Sequence, residues 1–180
     1  GGFEPRLRKV TLQDCFGPVN FFLLPYFLPQ QVRLAYQDSE IRTASQAFQK
    51  IIEQNSDEIH PEERNILLAH GFFIKQNAEQ PEISGSETSV GTSDLTDLSC
   101  ADCFDYVALG HLHSAQRAGS DKMRYSGSPL KYSVDEAKSK KSVTIVELKE
   151  KGTLDIKTVP LTPRRDLRVI EGSMEELCKP

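Results

Sequence analysis

The stretch FDYVALGHLHSAQRAGSDKMRYSGSP, Phe104 to Pro129, decides how the rest of the chain is read. Phe104–Leu109 is a short apolar run of the length a buried strand takes, and Gly110 breaks it. His111 and His113 follow at alternate positions. In extended chain alternate side chains share a face, so both rings can converge just beyond the strand end. The carboxyl ends of strands in an open α/β sheet are where ligand sites are built. Neutral imidazole is the commonest metal ligand. The spacing alone leaves two readings open: a metal site, or two surface histidines on a turn.

A second histidine site supports the first reading. Asn65–Ala69 is another short, mostly apolar run, and it ends on His70 with Gly71 behind it. Two strand-end histidines in one α/β pattern deliver their rings to the same rim when the strands are adjacent and parallel. The expectation is a cluster of three imidazoles, His70, His111 and His113, at one end of a sheet.

The cations after the histidines add an anionic partner to this picture. Between Gly110 and Ile145 seven Lys or Arg (Arg117, Lys122, Arg124, Lys131, Lys138, Lys140, Lys141) face three acids, although the chain as a whole carries −4. That total argues against a general nucleic-acid binder, while the local excess suits an anionic substrate or a solvated face. Arg117, Arg124 and Lys131 are the candidates for phosphate contacts, which would be salt-sensitive and sequence-independent. The competing reading has Arg124 and Tyr125 packing the segment after the histidine loop.

The remaining segments give an α/β alternation. Val10–Leu12 and Val19–Leu24 read as strands either side of Gly17-Pro18, the second apolar enough to be covered on both faces. Pro29 opens a short helix. Ile41, Ala44, Phe48, Ile51 and Ile52 fall on one face of a helix from Glu40 to Gln54, with Asp38 or Ser39 as cap. Lys75–Ser99 is a long Ser/Thr/Glu-rich loop in which Ser93 could cap a short helix over Asp94–Leu98. Lys141–Leu148 and Leu154–Leu161 form a hairpin about Gly152, Leu167–Ile170 starts another strand, and Ser173–Cys178 opens a helix with a capping-box pattern.

With 180 residues, 38% apolar and 27% charged, the composition is that of a globular protein with a real core, and no run is long enough to span a membrane. Four scattered cysteines suit a reducing, cytoplasmic setting better than a disulfide framework. Cys100-x-x-Cys103 lacks the second pair a structural zinc would want. Gly1 is not preceded by methionine and a strand pattern begins almost at once, so the chain reads as a piece of a longer protein.

FDYVALGHLHSAQ, then RYSGSPLKYSVDEAKSKKSV, then LTPRRDLRVIEG ending at Gly172 resemble the SbcD family of nucleases, within the calcineurin-like metallophosphoesterases. The resemblance extends back through ILLAHGFF (Ile66–Phe73) and GPVNFFLLPYFLPQQVR (Gly17–Arg33). It implies an α/β fold: the carboxyl-terminal half of a metallophosphoesterase sandwich over residues 1–160, then the start of a small α/β capping domain over residues 161–180. It also implies hydrolysis of DNA phosphodiesters with two divalent ions, usually Mn²⁺, by a homodimeric nuclease that works with an SMC-like ATPase of SbcC type. Of the family's five ligand motifs two are matched. By that resemblance His70 and His111 hold one metal and His113 the other.

The D-x-H motif, the G-D-x-x-D motif and the Gly-Asn-His motif are not in the sequence. Two-metal hydrolysis needs a bridging ligand between ions about 3.5–4 Å apart. Asp102 and Asp105 lie on or before the strand and read as structural. The expectation is that no catalytic residue lies in these 180 residues, and that they are inactive alone. Two rivals stand beside the nuclease reading. One is a metallophosphoesterase acting on phosphomonoesters or cyclic nucleotides. The other is a non-catalytic module that binds the ATPase.

Overall fold

The computed structural model describes residues 6–83, 87 and 95–177. Strands β1 (Arg8–Asp14) and β2 (Gly17–Leu24) form a hairpin, in register from Arg8↔Leu23 to Asp14↔Gly17. Helices α1 (Pro29–Tyr36) and α2 (Ala44–Gln54) follow, then β3 (Arg64–His70), the short β4 (Phe73–Ile74) and β5 (Thr96–Asp97), and β6 (Tyr106–Gly110). Next come β7 (Gln116–Ser120), β8 (Met123–Tyr125), the hairpin β9 (Ser142–Leu148) and β10 (Leu154–Pro160), and α3 (Met174–Leu177).

The central sheet has six strands in the order β1-β2-β3-β6-β8-β7. Its inner pairings, β2 with β3, β3 with β6 and β6 with β8, are all parallel, and antiparallel hairpin partners close the two edges. This is a mixed α/β fold with a mostly parallel sheet and few helices, as the alternation in the sequence implies.

Each strand of the sheet splits its apolar residues between two faces. Phe22, Leu24, Leu67, Ala69, Val107, Leu109, Met123 and Tyr125 point one way, onto Ala47, Phe48, Ile51 and Ile52 of α2. Val19, Ile66 and Tyr106 point the other way, with Phe21 and Ala108, against Val146, Leu148, Leu154 and Ile156 of the β9–β10 hairpin. Burying Phe48 or Ile51 completely stabilises the fold by about 1.5–3 kcal/mol each. The hairpin covers the second face only in part, so Leu68 stays exposed beside His70.

Three readings from the sequence are corrected. The long helix begins at Ala44 with Thr43 as its cap, not at Glu40 after Asp38 or Ser39. Thr43 Oγ1 accepts from Gln46 N at 3.2 Å and Gln46 Oε1 accepts from Thr43 N at 3.1 Å, a reciprocal capping box, while Asp38 instead accepts from Glu40 N in a local turn. Thr96–Asp97 forms a two-residue strand with Phe73–Ile74, not a helix, and the cap assigned to Ser93 lies outside the described residues. Leu167–Ile170 is irregular and largely exposed, since no neighbouring strand is there to take up its ladder. The closing helix is Met174–Leu177, and Ser173 and Glu176 do exchange capping hydrogen bonds; Cys178 lies outside the described residues.

The β7–β8 hairpin went unread in the sequence. Gln116–Ser120 has one buried side chain, Ala118, and a bulge between Arg117 and Ser120, so neither alternation nor an apolar run announces it.

Candidate metal centre

The site is built where β3 and β6 end. They run side by side and parallel, with His70 directly opposite Gly110, and Gly71 N donates to Gly110 O at 3.2 Å just past the ladder. The chain thus sets His70 and His111 at the carboxyl ends of neighbouring strands, as their place in the sequence predicts. His70 Nε2 and His111 Nδ1 are 3.4 Å apart, with the rings edge to face at 81° and centroids 5.2 Å apart.

Local chemistry holds this pair. Gly110 faces the His70 ring so closely that a Cβ there would lie 3.0 Å from Nδ1. His111 has φ +119°, a conformation that L side chains rarely adopt, so the turn is held against strain of about 1–3 kcal/mol. The Phe72 ring packs on His111 with centroids 4.2 Å apart. Below the pair, the buried Tyr125 hydroxyl accepts from Phe73 N at 2.6 Å and lies 3.0 Å from the carbonyl oxygens of Gly71 and Phe73. The loop after His70 is therefore pinned to β8. Burial lowers the pKa of His111 below the ordinary histidine value, and the neighbouring His70 and His113 push the same way against Glu87. A lowered pKa favours the neutral ring that metals bind.

His113 is held differently. Its Nδ1 is 3.0 Å from Glu136 Oε1, its N–H donates to the Glu87 carboxylate, and its carbonyl accepts from Ser128 N at 3.0 Å and Lys141 Nζ at 2.9 Å. Gly127 makes this approach possible: at φ +75° a Cβ would come within 2.9 Å of the His113 carbonyl oxygen. Among the described residues no group of three or more His, Cys, Asp or Glu could hold a metal ion. The three expected imidazoles therefore divide into a close pair, His70 with His111, and a third ring engaged by Glu136.

The pair itself fits a shared divalent ion. Two imidazole nitrogens each about 2.1 Å from one ion are about 3.0–3.4 Å apart for ligand angles from 90° to tetrahedral. His111 Nε2 is also buried without a hydrogen-bond partner among the described residues, the kind of unsatisfied group that accumulates at working sites.

The phosphate candidates are ion-paired. Arg117 and Arg124 are cross-strand neighbours that share Asp121, at 2.7 and 3.7 Å. Lys131 bonds Ala137 O at 2.7 Å and Asp166 at 2.9 Å, which ties the chain after the hairpin back to the histidine loop. Asp102 and Asp105 are structural, as read: they bond Lys75 and Lys151 at 2.7 and 2.8 Å, and Asp105 also accepts from Asn65 N at the opposite end of β3 from His70. Burial pushes the Cys100 thiol up to about 12 and also raises that of Cys103, so the CxxC holds no ready thiolate. What the sequence reading missed is Glu136. Its signal was Ser133-x-x-Glu136, a capping pattern whose Ser133 Oγ does reach Glu136 Oε1 at 3.0 Å.

No protein-family model matches the chain. Among curated proteins it is 35% identical over 163 residues to the SbcD component of the nuclease SbcCD of Staphylococcus epidermidis, an alignment covering 89% of this chain and 42% of that protein. It is 33% identical over 173 residues to the SbcD component of the nuclease SbcCD of Staphylococcus saprophyticus, covering 94% of this chain and 44% of that protein. This chain is homologous to SbcD. It spans less than half the length of the SbcD relatives it matches. By name those relatives are nucleases, each one part of a two-component assembly.

Proposed function

We propose that this chain supplies part of the metal centre of an SbcD-type DNA nuclease, with His70 and His111 on one divalent ion and His113 on a second. The observation that carries the reading is the His70–His111 pair, 3.4 Å apart at adjacent strand ends, in a chain homologous to SbcD over about nine-tenths of its length. Bound divalent ions, Mn²⁺ by family resemblance, would polarise a phosphodiester and lower the pKa of an attacking water.

The chain's own residues contribute position. Gly110 admits the His70 ring, Phe72 fixes the plane of His111, and Tyr125 holds the loop between the two strands. Burial helps keep His111 neutral, as a ligand must be. Two imidazoles do not complete a coordination shell, so the remaining ligands and any catalytic residue come from outside these 180 residues, which are inactive alone. DNA phosphates are the substrate, an ATPase of SbcC type is the partner, and the assembly is a homodimer in the cytoplasm. Among the described residues no helix is long and apolar enough to cross a membrane.

Cleavage of linear duplex DNA by the intact protein carrying this chain, with Mn²⁺, is the test. Loss of cleavage in His70→Ala and His111→Ala, with none from the 180-residue chain by itself, is expected. Full cleavage by either variant overturns the ligand assignment, and hydrolysis of p-nitrophenyl phosphate but not DNA overturns the substrate.

A further inference from the structure

Behind His113 lies a buried ionic network that the metal reading does not use. Glu136 sits in a short 3₁₀ turn, Val134–Lys138, with its side chain 2% exposed, and Lys141 opens toward it from the start of β9 with its side chain 5% exposed. Taking both charges out of water costs several kcal/mol per ion unless their hydrogen bonds are fully met. Here they are. Lys141 Nζ spends its three protons on Glu136 Oε2 at 2.5 Å, Ser128 Oγ at 2.9 Å and His113 O at 2.9 Å. Glu136 Oε1 takes the Ser133 hydroxyl and His113 Nδ1, each at 3.0 Å.

The arrangement converges on one residue from two sides, its ring through Glu136 and its backbone through Lys141. An ordinary structural ion pair has no need to touch the same histidine twice. A carboxylate with ionised oxygens accepts only, so the proton between Glu136 and His113 belongs to Nδ1, and Nε2 is left with its lone pair. In water the neutral ring favours the opposite tautomer, so the network imposes a choice.

We propose that Glu136, anchored by Lys141, is a positioning residue that fixes His113 as the Nδ1–H tautomer and so presents Nε2 to a divalent ion. The inference rests on the metal reading above, and deepens it by assigning the ring nitrogen and the group that selects it. A carboxylate behind a ligating histidine also raises the basicity of the ligand nitrogen, and losing such a partner typically weakens metal binding about 10- to 100-fold.

The test reads the tautomer directly, in metal-free protein. The intact protein is labelled with ¹⁵N-histidine and long-range ¹H–¹⁵N correlations are recorded at neutral pH, with His113→Gln identifying the ring signals. Two double variants remove both buried charges together, so neither leaves a lone ion. Glu136→Gln with Lys141→Met keeps an acceptor for Nδ1–H; Glu136→Leu with Lys141→Met does not. The expected result is an Nδ1–H ring in the wild type and the Gln/Met variant, and a shift to Nε2–H in the Leu/Met variant, with Zn²⁺ affinity about 10- to 100-fold weaker there. A merely structural pair would move the tautomer in neither variant or in both, and that result overturns the proposal, as does an Nε2–H wild type. Zn²⁺ that leaves the Nε2 signal of a correctly protonated His113 unmoved overturns the metal reading beneath it.

Discussion

Gly110 lies so close to the His70 ring that a Cβ would stand 3.0 Å from Nδ1, although the two residues are 40 positions apart in sequence. The contact falls on a ring, which can rotate, and not on backbone. Gly110→Ala is therefore expected to fold while turning His70 away from His111. Mn²⁺ affinity in the intact protein, measured by titration calorimetry, should fall about tenfold or more, as it does when a ligand's support is lost. Unchanged affinity with an unchanged denaturation curve would show that the glycine is not needed for the pair.

Tyr125 is completely buried and its hydroxyl satisfies the backbone N–H of Phe73. Tyr125→Phe removes one partner and leaves a buried donor unpaired, which costs about 1–3 kcal/mol. Urea denaturation should show that loss in the midpoint with little change in slope. A loss below about 0.5 kcal/mol would mean that the Phe73 N–H finds another acceptor, against the geometry described.

The strain at His111 can be separated from its chemistry. Both His111→Ala and His111→Gly remove the ring, but only glycine adopts φ +119° without a steric penalty. The glycine variant should therefore be more stable than the alanine variant by about 1 kcal/mol, and neither should bind Mn²⁺ at this site. Equal stability would place the turn outside the strained region in solution.

Acid should act first at the other end of the sheet. The hydrogen bond from Arg64, whose side chain is buried, holds the Asp14 carboxyl below its ordinary value, and the Phe16 N–H helps. A lowered pKa favours the folded state above the ordinary carboxylate range. That contribution disappears as pH falls through the lowered value. Asp14→Asn should thus be less stable than wild type at pH 7, and the two denaturation midpoints should converge as the pH is taken down through the carboxylate range. A gap that persists to low pH would assign the effect to packing and not to charge.

The residues that could be read ahead are those whose role follows from their own segment. Leu67 and Val107 sit in short apolar runs, and a run that ends on histidine and glycine names both its strand and its rim. The pairing of His70 with His111 needed only the further premise that the two strands are neighbours. Thr43 was missed as a cap because Asp38 and Ser39 are equally good capping residues, and the choice turned on whether Gln46 could reach back. Glu136 and Lys141 were counted as two charges in a basic stretch, because nothing local says that a glutamate and a lysine five apart will both be buried. Burial of that kind is decided by segments arriving from elsewhere, here the histidine loop and Ser128. The division of three imidazoles into a pair and a single has the same origin.

The parallel pairing of β3 with β6 also has a kinetic meaning. His70 and His111 are 41 residues apart, and nothing brings them together until that non-local ladder closes. A slip of one residue would move a ring about 3.3 Å along the strand and turn it to the opposite face. The ion-binding pair is thus an assay of correct sheet assembly: a refolding chain gains secondary structure first and metal affinity last, and chains trapped in a shifted register are the ones a divalent ion cannot rescue.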